Sequence, residues 1–453
     1  MPIVTADYAI VTAPMKIMHS VNNAPVGETT RLCDEMSNHK YFREAGIPYC
    51  RNHDAAHSPA YDGEFVVDVH RIFRNFDADV NDPASYYFTP TDKYVAAVDS
   101  VGAKTFYRLG ASIEHKTKNG TYPPKDFKKW AQICEHIIRH YTEGWADGFH
   151  YDMEYWEIWN EAHAISGENN PCCWQGSMEL FIEFFITVFS YLKETFPSLK
   201  IGGPALCSCY DDKLNHDLFD AMQARGLMLD FYSFHGYNSN PACFIEDGKH
   251  AYELLCEYGW ENHTELILNE WNYNRGWYGD DYVYSMHAIL DKKALKNSSY
   301  IAGTMAAGQV SHIDHMMYYD ARPTGFNGMF AGTFLTPLKG YYPFAMYGQM
   351  YRMGQQVCSK SDDATIFAVA AKGEHEGGIM ITYFDDDDDA PSKEVAVNLD
   401  NLPAEGLKAI EYYVVDEFND MKLFRTDKTT AQSLTTYLRF DLYTTYYLKI
   451  RLA

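Results

Sequence analysis

Two glutamates stand at the ends of short apolar runs, where they could act together. Glu161 directly follows the predicted strand Tyr155–Asn160, and Glu270 ends the predicted strand Glu265–Glu270. A buried glutamate is rare unless it is paired or functional. Two strands that end in glutamate can therefore bring both carboxyl groups to one pocket.

Paired carboxyl groups suit the cleavage of a glycosidic bond. In the retaining mechanism one group attacks the anomeric carbon and the other protonates the leaving oxygen, at a separation of about 5–5.5 Å. The acid needs a raised pKa, which burial and a neighbouring negative charge supply. A single glutamate more often caps a helix or pairs with arginine, but the two contexts together favour a glycoside hydrolase.

The elements that must position these glutamates recur as strand, polar loop and helix. Amphipathic helices are predicted over Lys128–Tyr141 and Met178–Phe196, the second stopped by Pro197. The eight predicted strands are Lys16–Ser20, Ile47–His53, Thr105–Gly110, Tyr155–Asn160, Leu199–Gly203, Asp230–His235, Glu265–Glu270 and Ile313–Tyr319. This order predicts an α/β fold, a (β/α)8 TIM barrel with its active site at the carboxyl ends of the strands.

After about Tyr351 the pattern changes to alternating runs typical of a β-sandwich. These runs are Thr365–Ala371, Gly378–Phe384, Glu394–Leu399, Ile410–Asp416 and Tyr443–Leu452. The predicted division is an N-terminal strand in residues 1–14 that joins the sandwich, a catalytic barrel over 15–350 and the sandwich over 351–453. The acidic run Asp385–Asp389 is interpreted as a solvated hairpin loop, since it lacks the spacing of a calcium loop.

Composition limits the partners. The 453 residues carry a net charge of −24, which argues against nucleic acid and anionic membranes and fits a neutral substrate. The 36 tyrosines could stack on sugar faces. The N-terminus lacks the features of a signal peptide and the cysteines form no spaced CxxC pairs, so we expect a cytoplasmic protein with reduced thiols. A homo-oligomer is left open.

Several segments resemble glycoside hydrolases of clan A, and within it family 39, which includes β-xylosidases and α-L-iduronidases. The segments are Asn160-Glu161 after a Trp-rich strand, the strand-end Glu270, the stretch from Trp174 through Phe196–Ala205, and Phe231–Tyr237. The resemblance implies a retaining, cofactor-free and metal-free enzyme that acts on oligosaccharides or glycosides. It further implies exo action of the β-xylosidase type.

The same resemblance assigns roles. Glu161 maps to the general acid/base and Glu270 to the nucleophile. Asn160 would bind the sugar 2-hydroxyl, and His235 and Tyr237 would contact the nucleophile and the sugar. One departure is that Ala162-His163 follows the acid, where such enzymes often carry Pro-Asn.

Further sugar-binding residues are expected at other strand ends. Arg51 and His53 end the second strand, and Glu114 and His115 follow the third. Trp271 and Trp277 could form a stacking wall. Tyr318 and Tyr319 end the eighth strand, and one of them is expected to form the bottom of the sugar pocket. Tyr318 is taken as the binding residue.

Other functions remain open on sequence alone. The sugar could be a galactoside, arabinoside, glucoside or iduronide, and an iduronide would need a cationic pocket from Arg51, Arg108 or Arg322. A non-catalytic carbohydrate-binding barrel is a second alternative. A metal-dependent hydrolase is a third, although no HExxH motif occurs; its possible ligands are His53, Asp54, His70, His235, His312, Asp314 and His315.

Overall fold

A computed structural model describes residues 1–28, 36–53, 63–166, 169–323, 326–332, 334–403 and 405–453. Its strands are, in chain order, β1 (Ile3–Pro14), β2 (Ile17–Asn22), β3 (Gly27–Glu28), β4 (Met36–Ser37), β5 (Tyr49–Arg51), β6 (Lys104–Leu109), β7 (Tyr155–Ile158), β8 (Ile165–Ser166), β9 (Asn170–Pro171), β10 (Lys200–Leu206), β11 (Phe231–Asn238), β12 (Glu265–Tyr273), β13 (His315–Tyr318), β14 (Gln355–Ser361), β15 (Ile366–Lys372), β16 (Glu376–Tyr383), β17 (Lys393–Asp400), β18 (Lys408–Val415), β19 (Lys422–Thr429), β20 (Leu434–Phe440) and β21 (Thr445–Leu452).

The α-helices are, in the same order, α1 (His39–Ala45), α2 (Val69–Ile72), α3 (Thr89–Asp99), α4 (Phe127–Thr142), α5 (Met178–Thr195), α6 (Asp212–Gln223), α7 (Cys243–Tyr258), α8 (Gly279–Val310) and α9 (Tyr342–Met353). Asp126 and Ser177 cap α4 and α5, since their side chains accept hydrogen bonds from Lys129 N and Leu180 N. Both helices agree with the predicted ranges.

Eight parallel strands close into a barrel in the order β10-β11-β12-β13-β2-β5-β6-β7. Each corresponds to one of the eight predicted strands, so the TIM-barrel fold is confirmed. The bottom of the barrel is filled by one large side chain from each of six strands, near their amino-terminal ends. These residues are Tyr49, Phe106, Tyr155, Phe231, Ile267 and Met317.

The C-terminal strands form one curled, mixed sheet of nine strands in the order β19-β18-β21-β16-β15-β14-β1-β17-β20. Strand β1 lies inside this sheet, antiparallel to β14 and parallel to β17. The sheet has its own core, which includes Val4, Val397 and Ile410. A β domain after the barrel is thus confirmed, while β14, β19 and β20 are additional to the predicted strands.

The acidic run is tied to the barrel rather than only solvated. Lys296 on α8 is 6% exposed, and its Nζ lies 3.0 Å from Asp386 Oδ1 and 2.9 Å from Asp388 Oδ1. Arg275 Nε donates to Asp386 Oδ2 at 2.8 Å. These cations compensate two of the five aspartates in the run, Asp386 and Asp388.

Among the helices that the structure describes, none combines the length and the apolar character needed to cross a bilayer.

Candidate active site

A polar layer lies directly above the apolar bottom of the barrel. Side chains alternate along a strand, so the residue two positions after each bottom residue also points inward. On five strands this residue is polar and wholly buried. The five are Arg51, Arg108, Glu157, Ser233 and Asn269.

Arg51 is the centre of this layer. Its Nε donates to Glu157 Oε2 at 2.7 Å, its Nη1 to Glu270 Oε1 at 2.8 Å and its Nη2 to Asn160 Oδ1 at 2.7 Å. Burial lowers the pKa of Arg51, but the charges of Glu157 and Glu270 outweigh burial and raise it. The guanidinium therefore stays charged and fixes both Glu270 and Asn160.

Glu157 explains how the barrel holds this buried arginine. Its carboxylate also accepts from Ser233 Oγ at 2.6 Å and from Asn269 Nδ2. A buried charge is tolerated when it is paired and its remaining lone pairs are satisfied. Glu157, Ser233 and Asn269 were missed from the sequence, where the signal was a polar residue at the inward position of a strand.

Glu270 is held from three sides. Besides Arg51, Tyr237 Oη donates to its Oε2 at 2.9 Å, and His53 Nε2 lies 3.3 Å from its Oε1. Burial raises the pKa of Tyr237 well above its usual value, so the phenol stays protonated and donates. The side chain of Glu270 is only 5% exposed.

A bulge in β12 gives Glu270 its direction. Phe234 pairs with Leu268 but His235 pairs with Glu270, so Asn269 has no opposite residue on β11. Because of this extra residue, Asn269 and Glu270 both reach buried partners inside the barrel, Glu157 and Arg51 respectively.

Glu161 faces Glu270 across the site. His235 Nδ1 lies 2.6 Å from Glu161 Oε1 and 3.5 Å from Glu270 Oε2. One oxygen of Glu161, one oxygen of Glu270 and one ring nitrogen of His235 lie within 4.8 Å of one another. The Glu161 backbone has φ of 44° and its N–H donates to Ala205 O at 2.9 Å, which anchors this turn on β10.

Burial shifts the pKa values of the two groups beside Glu270, Glu161 and His235. Burial raises the pKa of Glu161 above its usual value, against the opposing effects of His53 and His163. Burial also lowers the pKa of His235 to about 3, so its ring is neutral at physiological pH. The site thus combines a carboxyl group paired with a guanidinium and a second carboxyl group whose pKa is raised by burial.

An aromatic wall borders the carboxyl groups. The rings of Tyr237 and Trp277 lie 4.9 Å apart, and those of His53 and Tyr319 lie 5.6 Å apart. Phe326 contacts Tyr237, Trp277 and Tyr319. Trp277 is 48% exposed and so can offer its face to a ligand.

Two predicted sugar-binding residues do not reach this site. Trp271 and Tyr318 are wholly buried and contact each other with ring centroids 5.1 Å apart. Met317 points into the barrel, so alternation turns Tyr318 outward and Tyr319 inward. Trp271 is turned outward by the same rule, after Glu270, and packs against Phe244. Assigning them to sugar binding was wrong.

Glu114 and His115 lie to one side. The carboxylate of Glu114 accepts hydrogen bonds from the backbone N–H groups of Asn119, Gly120 and Thr121 at 2.8, 3.0 and 3.1 Å. Burial raises the pKa of Glu114, but these bonds outweigh it and hold the pKa below its usual value. Glu114 therefore shapes its own loop, and His115 is exposed on it.

The proposed metal ligands do not converge in the part of the chain that the structure describes, which omits Asp54. There the one group with metal-ligand spacing is Glu161, His235 and Glu270. Arg51 already supplies the positive charge beside Glu270. His315 Nε2 instead contacts Ser20 Oγ at 2.7 Å, and the His312 ring stacks on Tyr252.

The sequence profile of glycosyl hydrolases family 39 matches residues 27–248. The chain resembles this family. It is 23% identical over 343 residues to a β-xylosidase of Geobacillus stearothermophilus, a match that covers 66% of this chain and 64% of that protein. The chain thus aligns with somewhat less than two thirds of this relative's length.

Two solved structures show the same fold over the whole chain. A glucosidase from Croceicoccus marinus superposes with a TM-score of 0.81 at 18% identity and covers 100% of this chain and 99% of its own. A monomeric β-xylosidase from Caulobacter crescentus CB15 superposes with a TM-score of 0.71 at 14% identity, with 100% of both chains covered.

Proposed function

We propose that this protein is a retaining glycoside hydrolase in which Glu270 is the nucleophile and Glu161 the general acid/base. The observation that carries the proposal is the pair of carboxyl groups within 4.8 Å of each other. Retaining enzymes place them about 5–5.5 Å apart, whereas inverting enzymes need about 6.5–9.5 Å to admit a water. The family resemblance supports the same assignment.

In the first step Glu270 attacks the anomeric carbon while the bond to the leaving oxygen breaks. The proton of Glu161 passes to that oxygen, so the leaving group departs as a neutral alcohol. Arg51, His53 and Tyr237 keep Glu270 oriented. In the second step Glu161, now a base, takes a proton from water as the water oxygen displaces Glu270 from the sugar.

Asn160 is suited to bind the sugar. Arg51 donates to its Oδ1, which leaves the amide N–H groups to donate to a hydroxyl. A hydrogen bond to the 2-hydroxyl that strengthens in the transition state contributes several kcal/mol in this class of reaction. The aromatic wall formed by Tyr237, Trp277 and Tyr319 would pack on the sugar.

The substrate proposed for the catalytic pocket is a neutral sugar, with exo cleavage of a β-xyloside as the first choice. Each arginine that could bind an iduronate carboxylate is already paired with an acid. Arg51 binds Glu157 and Glu270, Arg108 binds Asp68 at 3.0 Å, and Arg322 binds Asp320 at 2.8 Å. The β-xylosidase relative favours xylose; galactosides, glucosides and arabinosides are the alternatives.

The test is a panel of nitrophenyl glycosides, followed by proton NMR of the product from the best substrate. We expect hydrolysis of the β-xyloside, with the first-formed sugar in the anomeric configuration of the substrate. Inversion would remove the nucleophile role from Glu270. Hydrolysis that survives in both Glu161→Gln and Glu270→Gln would remove the whole assignment.

A further inference from the structure

A cavity lies at the carboxyl end of β6, the end of the barrel that carries Glu161 and Glu270. It has a volume of about 450 Å³ and lies between α2 and the loop that carries Glu114. Pockets for small ligands typically measure about 300–1,000 Å³. The cavity is therefore large enough for a monosaccharide unit.

The charge of this cavity is opposite to that of the protein as a whole. Arg71, Lys116 and Lys118 line it against two acids, Asp68 and Glu114. The chain itself carries a net charge of −24. A local excess of cations on such an acidic protein would attract an anion to this one place.

Both acids in the cavity are already satisfied by the protein. Asp68 accepts from Arg108 Nη2 at 3.0 Å and from the backbone N and the Oγ of Ser112 at 2.8 and 2.9 Å. Glu114 is occupied by its own loop. The charge of Asp68 is thus paired with Arg108, and Glu114 is the one lining acid that opposes the three lining cations.

Two of the three lining cations, Arg71 and Lys116, are uncommitted; Lys118 Nζ already donates to Pro171 O. Arg71 and Lys116 are exposed, and within the described ranges their side chains make no hydrogen bond or ion pair. Arg108, which is wholly buried, pairs with the lining residue Asp68 and so compensates its charge.

The cavity lies on the side of the acid/base. Glu114 N donates to Cys172 O at 2.9 Å, and Lys118 Nζ donates to Pro171 O at 2.7 Å. Cys172 N in turn donates to Ala164 O at 3.1 Å, on the segment that follows Glu161. In a retaining glycosidase the acid/base protonates the leaving group, so this side receives the part of the substrate that departs.

We propose that this cavity binds an oxyanion on the leaving saccharide, a carboxylate of a uronic acid or a sulfate ester. The enzyme would then release a neutral sugar from an anionic saccharide. Arg71 and Lys116 bind the anion. The predicted effect on hydrolysis rests on the proposed function, whereas the predicted binding of the anion does not.

The experiment uses three disaccharides that share the non-reducing sugar found by the glycoside panel. One has a uronic acid at the reducing end, one is its carboxyl-reduced neutral counterpart, and one carries a sulfate ester there. We compare kcat/KM for the wild type, for Arg71→Ala/Lys116→Ala and for the control Lys360→Ala/Lys422→Ala. The control removes two exposed lysines of the β-sheet domain.

The wild type should favour an anionic disaccharide by about tenfold, since hydrogen bonds to charged groups are roughly twice as strong as those between neutral groups. The cavity variant should lose that preference and keep its kcat/KM on the neutral disaccharide, while the control keeps both. Preference for the uronic acid or for the sulfate ester identifies the anion. Equal rates in the wild type, or a preference that survives in the cavity variant, overturn the proposal.

A binding measurement separates this proposal from the catalytic one. If the panel gives no hydrolysis, the proposed function fails, and the protein is titrated by calorimetry with the uronic acid disaccharide, the sulfated disaccharide and the neutral counterpart. Binding of either anionic disaccharide supports the proposal if Arg71→Ala/Lys116→Ala abolishes that binding and Glu161→Gln retains it. Absence of binding of both anionic disaccharides to the wild type would overturn the proposal.

Discussion

Arg51 makes the contacts that distinguish the two glutamates. Its guanidinium binds Glu270 but donates no hydrogen bond to Glu161, whose nearest ring partner is the neutral His235. One carboxyl group is therefore stabilised as an anion and the other as an acid. Acid and base assignments arise where the surroundings push two titratable groups apart in this way.

The pH profile should report this difference. Glu161 must be protonated in the first step, and burial raises its pKa. The kcat/KM should therefore fall as the pH rises through a value above the usual pKa of glutamate, about 4.3. The pKa of His235 is about 3, so this ring adds no step to the profile above that pH.

Glu161→Gln tests whether the decrease in rate at high pH is due to Glu161. On a dinitrophenyl glycoside, whose leaving group needs no proton, the variant should form the glycosyl-enzyme without a decrease in rate at high pH. A decrease in rate at high pH that persists in the variant would be due to the titration of another group. Burst kinetics across pH measures this first step directly.

Arg51→Lys should lower kcat/KM by roughly 100-fold or more, comparable with the loss of one preorganised electrostatic donor. Lysine cannot reproduce three directed bonds to Glu157, Glu270 and Asn160. The matched control is Arg108→Lys, which is equally buried on the neighbouring strand and pairs with Asp68. Hydrolysis of a neutral aryl glycoside should survive in the control, and equal losses in both variants would deny Arg51 a specific role.

At the scale of elements, the sequence predicted where the strands lie but not which of their residues point into the barrel. Apolar runs with polar ends identified all eight barrel strands, and with them the end of the barrel that carries Glu161 and Glu270. Side chains alternate along a strand, so a shift of one residue decides which of two adjacent aromatic residues faces inward. The bulge at Asn269 shifts this alternation by one residue in β12. The sequence alone did not indicate the bulge.

Gly348→Ala tests the packing that supports β5, the strand of Arg51. Helix propensity alone favours alanine over glycine by about 1 kcal/mol. A Cβ at this position of α9 would lie 1.8 Å from Ala45 O, at the end of α1. We therefore expect a loss of about 1–3 kcal/mol in the free energy of unfolding, measured by urea denaturation.

Gly373→Ala is the control for that change. Its new Cβ would meet no atom closer than 3.4 Å and its φ is not positive. Its unfolding midpoint should stay close to that of the wild type. A neutral Gly348→Ala would mean that α1 and α9 can separate without cost.

At the scale of the molecule, the acidic run joins the two sheets. Alternation located five strands of the second domain, yet β19 is polar or exposed along most of its length and shows no such pattern. The ion pairs of Lys296 with Asp386 and Asp388 were equally hidden, because they connect segments about ninety residues apart. Composition predicts a charged loop but not its partner.

Lys296→Met should destabilise the protein. Breaking a buried ion pair costs about 3–5 kcal/mol, and with Asp386 and Asp388 partly exposed we expect about 2 kcal/mol in urea unfolding. Lys213→Met, which removes an exposed pair with Asp217, should leave the midpoint unchanged. Equal midpoints for the two variants would show that the acidic run does not hold the domains together.

The same link should weaken in acid. Burial raises the pKa of Asp388, but hydrogen bonds from Tyr284, Tyr443 and Lys296 outweigh it and hold the pKa at about 2. A depressed pKa stabilises the folded state above the unfolded value, about 3.9, and that stability is lost as the pH falls toward 2. Asp388→Asn should reduce this acid dependence in thermal melts between about pH 4 and pH 2.

The roles of the two glutamates are tested most directly by azide rescue. Azide added to Glu161→Ala should attack the glycosyl-enzyme and give a glycosyl azide of retained configuration. Azide added to Glu270→Ala should take the place of the nucleophile and give the inverted glycosyl azide. Proton NMR of the two products distinguishes these outcomes; the opposite pair of configurations, or no azide product from either variant, would contradict the assignment.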